Sequence, residues 1–136
     1  MERIQPSMTP LTQPWFDACR EGALLLQRCA DCDHWQFYPR FFCTACAGEN
    51  LSWERASGAG RVASFSVVRR AVSQAYEAPY VVALIDLAEG PRMMSQVVDC
   101  DSDAVTVGQP VKVRFEAWSD EVSMPVFSPD NAGGLQ

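Results

Sequence analysis

Apolar and polar residues follow two different rhythms along the chain. Near the N-terminus, Trp15, Phe16, Cys19 and Ala23 recur at helical spacing, which predicts a two-turn amphipathic helix. Thr12 or Gln13 can cap it, Pro14 suits its first turn, and Gly22 is placed to end it. Ala23 to Arg28 is a short apolar run that reads as a strand, and Leu51 to Arg55 alternates as a second. Beyond Arg61 the signal is all strand. Val62, Ser64, Ser66 and Val68 alternate against Ala63, Phe65 and Val67, and this strand ends at Arg69-Arg70. Tyr80 to Leu87 is nearly continuous apolar sequence and reads as a central strand. Arg92 to Asp99 and Val111 to Glu116 add two more, and Met124 to Phe127 a short fifth that Pro125 restricts to a sheet edge.

Five strands with one irregular segment, Asp101 to Val107, between the third and fourth follow the plan of an OB-fold barrel. Ser57-Gly58-Ala59-Gly60 reads as a flexible joint in front of it. The expected organisation is therefore an arm and helix over residues 1–22, a small cysteine-bearing unit over 23–57, an OB-fold over 58–128 and a tail over 129–136. Gly133-Gly134 marks that tail as disordered.

The small unit is organised by Cys29-Ala30-Asp31-Cys32 and Cys43-Thr44-Ala45-Cys46. Each Cys-x-x-Cys can turn tightly enough to aim both sulfurs at one point, and two such knuckles supply the four thiolates that tetrahedral Zn²⁺ prefers. Bare thiols or an iron centre are the remaining readings. Redox-active motifs would each open a helix after a strand, which Pro39 and Gly48 oppose. Four cysteines leave no open coordination position, so a zinc ion here stabilises the fold and does no chemistry. The two other cysteines, Cys19 and Cys100, lie in apolar sequence and are expected to be buried.

The 136 residues carry a net charge of −6, and the stretches on either side of Gly60 are both acidic. Neither offers the basic footprint that binding a nucleic-acid backbone requires, which opposes the single-strand nucleic-acid-binding reading an OB-fold alone would invite. No apolar run is long enough to span a membrane. The N-terminal residues lack the apolar core of a signal peptide, so a protein of the reducing cytoplasm is expected.

The order of these parts resembles a known family. The helix with Trp15-Phe16, the two knuckles, Trp35 with Pro39-Arg40, Gly58-x-Gly60, Tyr80-Val81-Val82-Ala83 and Val107 to Val113 are together similar to rubredoxin-like zinc-ribbon plus OB-fold proteins, formerly a domain of unknown function. The resemblance implies a non-catalytic, zinc-containing accessory subunit. Such a subunit docks on a thiolase-like enzyme, either a thiolase or a thiolase-type aldolase, or on an acyl-CoA hydratase, and helps bind or channel acyl-CoA. The chain departs from the family pattern where glycine often follows a knuckle: Asp33 follows Cys32 and Ala47 follows Cys46. The second is uncomfortable unless Gly48 takes the positive φ.

A search for catalytic groups yields little. The single histidine, His34, follows the first knuckle and is expected to pack on it or hydrogen-bond there. Asp99, Asp101 and Asp103 alternate like a calcium loop, but Ala104 and Pro110 stand where glycine and a bidentate glutamate are required; capping a turn is the expected use. Arg40, Arg69 and Arg70 are candidates for the phosphates of coenzyme A, because guanidinium forks suit phosphate oxygens. Tyr76, Tyr80 and Phe65 are candidates for an apolar slot taking an acyl or pantetheine chain. Trp15 and Phe16 must be covered by something, either the rest of this chain or a partner subunit.

Overall fold

The computed structural model describes residues 3–130, so Gly133-Gly134 lies outside the described residues. The first element is a helix, α1 (Gln13–Arg20), with Pro14 in its first turn, where a missing N–H costs nothing. Thr12 occupies the N-cap, but its hydroxyl turns back to the amide of Thr9 at 2.9 Å instead of capping the helix. At the other end Gly22 adopts φ +82°. The amides of Gly22 and Ala23 then return to the carbonyls of Cys19 and Ala18, at 3.1 and 2.9 Å. This paired closure satisfies two end carbonyls, and a residue without Cβ makes it cheap. Ala23 therefore lies beyond the helix.

Three short antiparallel strands follow: β1 (Leu25–Cys29), β2 (Trp35–Gln36) and β3 (Leu51–Arg55), in the order β2-β1-β3. Five more close into a barrel: β4 (Ala59–Val68), β5 (Tyr80–Leu87), β6 (Arg92–Val97), β7 (Pro110–Ala117) and β8 (Ser123–Pro129), in the order β4-β5-β6-β8-β7. A shift in register between Val62 and Ser64 bends β4 so that it can pair with β5 along its length and with β7 at its start. The irregular segment before β7 holds one short 3-10 turn, Ser102–Ala104, which Asp101 caps by accepting the Asp103 amide at 3.0 Å.

Two expectations are corrected by the barrel. Pro125 does not mark an edge, because β8 sits between β6 and β7. Its carbonyl accepts the Ser95 hydroxyl of β6 at 2.9 Å, and its missing N–H faces that same side. There the parallel pairing is reduced to Val97 opposite Phe127, so no ladder bond is lost. Cys100, expected to be buried, is exposed just beyond β6.

Nor is the segment before the barrel a loose joint. Gly58 adopts φ +82°, and a Cβ there would strike the Val113 side chain. The Gly58 carbonyl accepts the Val113 amide at 2.8 Å, and the Ser57 amide reaches the Glu89 carboxylate at 2.8 Å. Gly60 is already a strand residue between Leu87 and Val111, and a Cβ on it would come within 2.8 Å of the Asp86 carbonyl oxygen. These glycines serve close packing.

One continuous core results. Val62, Val81, Ile85, Met93, Val111 and Phe127 fill the barrel, and Trp15, Phe16 and Cys19 of α1 with Leu24 and Leu26 of the ribbon join the same cluster. The Trp15 ring meets Phe16 edge-on at 4.9 Å and lies 5.9 Å from Phe37 of the ribbon hairpin. At 3% and 4% exposure, Trp15 and Phe16 are covered by their own chain. Of the two coverings expected for them, the rest of the chain or a partner subunit, the structure shows the first, and burying each stabilises the fold by about 2–3 kcal/mol.

Candidate metal centre

Two knuckles of matching construction build the site. β1 ends at Cys29, whose amide takes the His34 carbonyl at 2.9 Å while its carbonyl accepts the Asp33 amide at 2.9 Å. Cys43 repeats the pattern with the Gly48 carbonyl at 2.7 Å and the Ala47 amide at 2.9 Å. Each loop closes through a residue at positive φ, Asp33 at 62° and Ala47 at 64°. Ala47 thus takes the left-handed turn itself. Gly48 has another use: a Cβ there would come within 2.8 Å of the Asp31 carboxylate and 3.2 Å of the Cys46 sulfur.

The four sulfurs lie within 4.8 Å of one another. Cys29 and Cys46 are separated by 3.7 Å and Cys32 and Cys43 by 3.6 Å. A zinc ion with Zn–S bonds of about 2.3 Å needs tetrahedron edges of about 3.8 Å, so the sulfur set fits the ion. The Ala45 and Gly48 amides point at the Cys43 and Cys46 sulfurs, each at 3.4 Å, a donor arrangement that favours thiolate. Burial works against ionising Cys43, but the amides of Cys46 and Ala45 and the neighbouring thiols outweigh it and bring its pKa to about 7. At Cys32 the His34 amide favours the thiolate, yet desolvation and the other three thiols prevail and hold its pKa up at about 12. A closed set of four thiolates around zinc stabilises structure and leaves no position for substrate.

Below the sulfurs lies a polar network that sequence reasoning missed. Gln27 and Gln36 are buried on neighbouring strands, and Gln36 donates to the Gln27 side-chain oxygen at 2.8 Å. Gln27 holds both the carbonyl and the amide of Arg40, at 2.9 and 2.8 Å. Gln36 accepts from the Thr44 amide at 3.0 Å and donates to the Phe42 carbonyl at 3.3 Å. Two side-chain amides thereby replace the ladder that the hairpin is too short to form. Gln27 follows Leu24-Leu25-Leu26 and precedes Arg28, so no alternation marks which way it faces and no sequence signal pointed to it.

The remaining expected residues are scattered. His34 places Nε2 at 3.1 Å from the Thr44 hydroxyl, tying the knuckles together. Arg40 is exposed on the ribbon hairpin, and Arg69 is engaged by Asp103 at 2.6 Å. Arg70 is exposed beyond β4. Tyr76 and Tyr80 do come together, their rings stacked at 5.5 Å, but Arg3 covers Tyr76 at 4.3 Å from its centroid. Phe65 is exposed on β4.

With this geometry in hand, residues 16–52 match the family described as ChsH2, rubredoxin-like zinc ribbon domain, and residues 53–116 match ChsH2, C-terminal OB-fold domain. The chain belongs to the ChsH2 zinc-ribbon and OB-fold family. A DUF35 domain-containing scaffold protein of Methanothermobacter thermautotrophicus is 34% identical over 123 residues, covering 89% of this chain and 92% of that one. A probable enoyl-CoA hydratase alpha subunit of Thermomonospora curvata is 33% identical over 127 residues, where this ChsH2-family chain spans only 40% of the relative's length. Among solved structures, a chain of the Ltp2-ChsH2(DUF35) aldolase superposes with a TM-score of 0.85 at 33% identity, covering 92% of this chain and 98% of that one. No described helix is long and apolar enough to cross a membrane.

Proposed function

We propose that this chain is a zinc-stabilised, non-catalytic accessory subunit that docks on a thiolase-like enzyme, such as a thiolase or thiolase-type aldolase, or on an acyl-CoA hydratase. In that role it helps to bind or pass acyl-CoA thioesters. The observation that carries the reading is the likeness, over nearly the whole of both chains, to a component of an aldolase named for two proteins, Ltp2 and ChsH2. Chemistry agrees with it. The sulfur cluster is coordinatively closed, and the one histidine is spent on bridging the knuckles. Neither provides the nucleophile and neighbouring base that thioester chemistry needs.

Affinity purification of the tagged chain from its own cells at native abundance tests the proposal. A thiolase-like or hydratase subunit recovered in fixed ratio, with acyl-CoA turnover present in the complex and absent from the isolated chain, is the expected result. A chain recovered alone, or one that turns over acyl-CoA by itself, overturns it.

A further inference from the structure

In a five-stranded OB barrel, ligands lie on the face of the second and third strands, between the loop joining the first two strands and the loop joining the last two. Here those parts are β5 and β6, residues 69–79 and residues 118–122. A groove of about 370 Å³ runs over that face, with Val82 of β5, Met94 and Gln96 of β6 and Met124 of β8 among its lining. Trp118, from the second loop, and Pro6, from the stretch ahead of α1, line it too.

That stretch, residues 3–8, crosses the region without regular structure. Arg3, Gln5, Pro6 and Met8 are half-buried, and Ile4 and Ser7 are exposed. No backbone–backbone hydrogen bond among the described residues joins it to the barrel. Its polar anchor is Arg3. The guanidinium carbon stands 4.3 Å from the Tyr76 ring centroid and 5.1 Å from that of Trp118, so one side chain touches both flanking loops. Its Nε–H is directed at the Ala75 carbonyl at 3.4 Å, and a terminal nitrogen lies 3.9 Å from the Glu116 carboxylate. Gln5 donates to the Arg3 carbonyl at 2.9 Å and folds the stretch back on this anchor. A guanidinium over two aromatic rings is a favourable attachment, but it is a single point. Segments with so little buried backbone are among the parts of a protein that open locally.

We propose that residues 3–8 are a strap over the ligand face of the barrel, latched by Arg3 between Tyr76 and Trp118, and that its release opens the groove and bares both rings. The device rests on the barrel and the strap alone, and holds whether or not the chain docks on an enzyme.

The test uses the full zinc-loaded chain labelled with ¹⁵N, with its Arg3→Ala, Tyr76→Leu and Ile4→Ala variants. In the parent, the amides of Ile4, Gln5 and Ser7 should have order parameters of about 0.85, like the barrel strands, and Arg3→Ala should lower them below about 0.6 while the strands keep theirs. Tyr76→Leu removes one side of the latch without altering the strap. It should loosen the same amides, and it covers the case in which Arg3→Ala fails to fold. Ile4→Ala, at a 92% exposed position, should leave the remaining two unchanged. The neutral dye N-phenyl-1-naphthylamine reports on the groove through the Met94 and Gln96 amide signals. A strap shut in about nine molecules of ten weakens a groove ligand about tenfold, so Arg3→Ala should bind the dye about tenfold more tightly than the parent. A strap already mobile in the parent, one that stays ordered in either latch variant, or a loosened strap with no gain in dye binding overturns the proposal.

Discussion

Ala47 illustrates how much of the metal centre is decided by single residues. It holds φ at 64° in a loop that a glycine would enter without steric cost. Ala47→Gly should therefore raise stability by roughly 1 kcal/mol, measured by urea denaturation of the zinc-loaded protein. Cys43→Ser should act in the opposite sense. It removes one of four ligands, and zinc content by elemental analysis should fall well below one ion per chain while the melting temperature drops by more than about 10 °C. Cys19 carries the pH prediction. Burial pushes its thiol from 9.0 to about 12. The folded chain then keeps a proton that the unfolded chain releases, so the contribution of Cys19 is complete below pH 9 and is lost as pH rises from 9 toward 12. Comparing denaturation of the parent and Cys19→Ala across that window should show a steeper alkaline decline in the parent. Cys19 was legible as buried because its neighbours at helical spacing are apolar. Cys100 was not, since the backbone turns at Asp99, at φ 61°, and carries it off the barrel.

Among the elements, the regular strands were the most legible and the irregular connections the least. Tyr80 to Leu87 was readable as a central strand because β5 pairs on both sides and buries every second residue completely. The ribbon hairpin was not readable in the same way, because its shape depends on Gln27 and Gln36, whose partners are backbone groups far along the chain. Gln27→Leu tests this dependence. It would remove the partner of the Arg40 amide and carbonyl and one of the two acceptors of the Gln36 side-chain amide, and should cost about 1–3 kcal/mol in urea denaturation. Hydrogen exchange at the Arg40 and Thr44 amides should speed up more than exchange in β5. An unchanged hairpin would mean that the zinc ion alone shapes it.

At the scale of the whole molecule, the division into arm, ribbon and barrel describes the order of parts along the chain, while the packing joins them. Helix α1 lies on the barrel and on β1, and one hydrophobic cluster runs through all three. Removal of zinc with a strong chelator should consequently shift a single cooperative melting transition downward, as followed by tryptophan fluorescence and calorimetry together. Two separated transitions would show a barrel that stands without the ribbon. This continuity was hidden in the sequence because glycine and serine composition signals a hinge equally well whether a segment is loose or tightly packed.

Gly58 gives that continuity a practical edge. Its hydrogen position is filled from the other side by Val113, some fifty-five residues later. A chimera that keeps this ribbon and borrows the barrel of a relative will need a residue at 113 no bulkier than valine, and a graft cut at the glycine pair would divide a contact that no peptide linker can replace. Crossovers placed after Leu87, with β7 inherited alongside the ribbon, should express and melt like the parents.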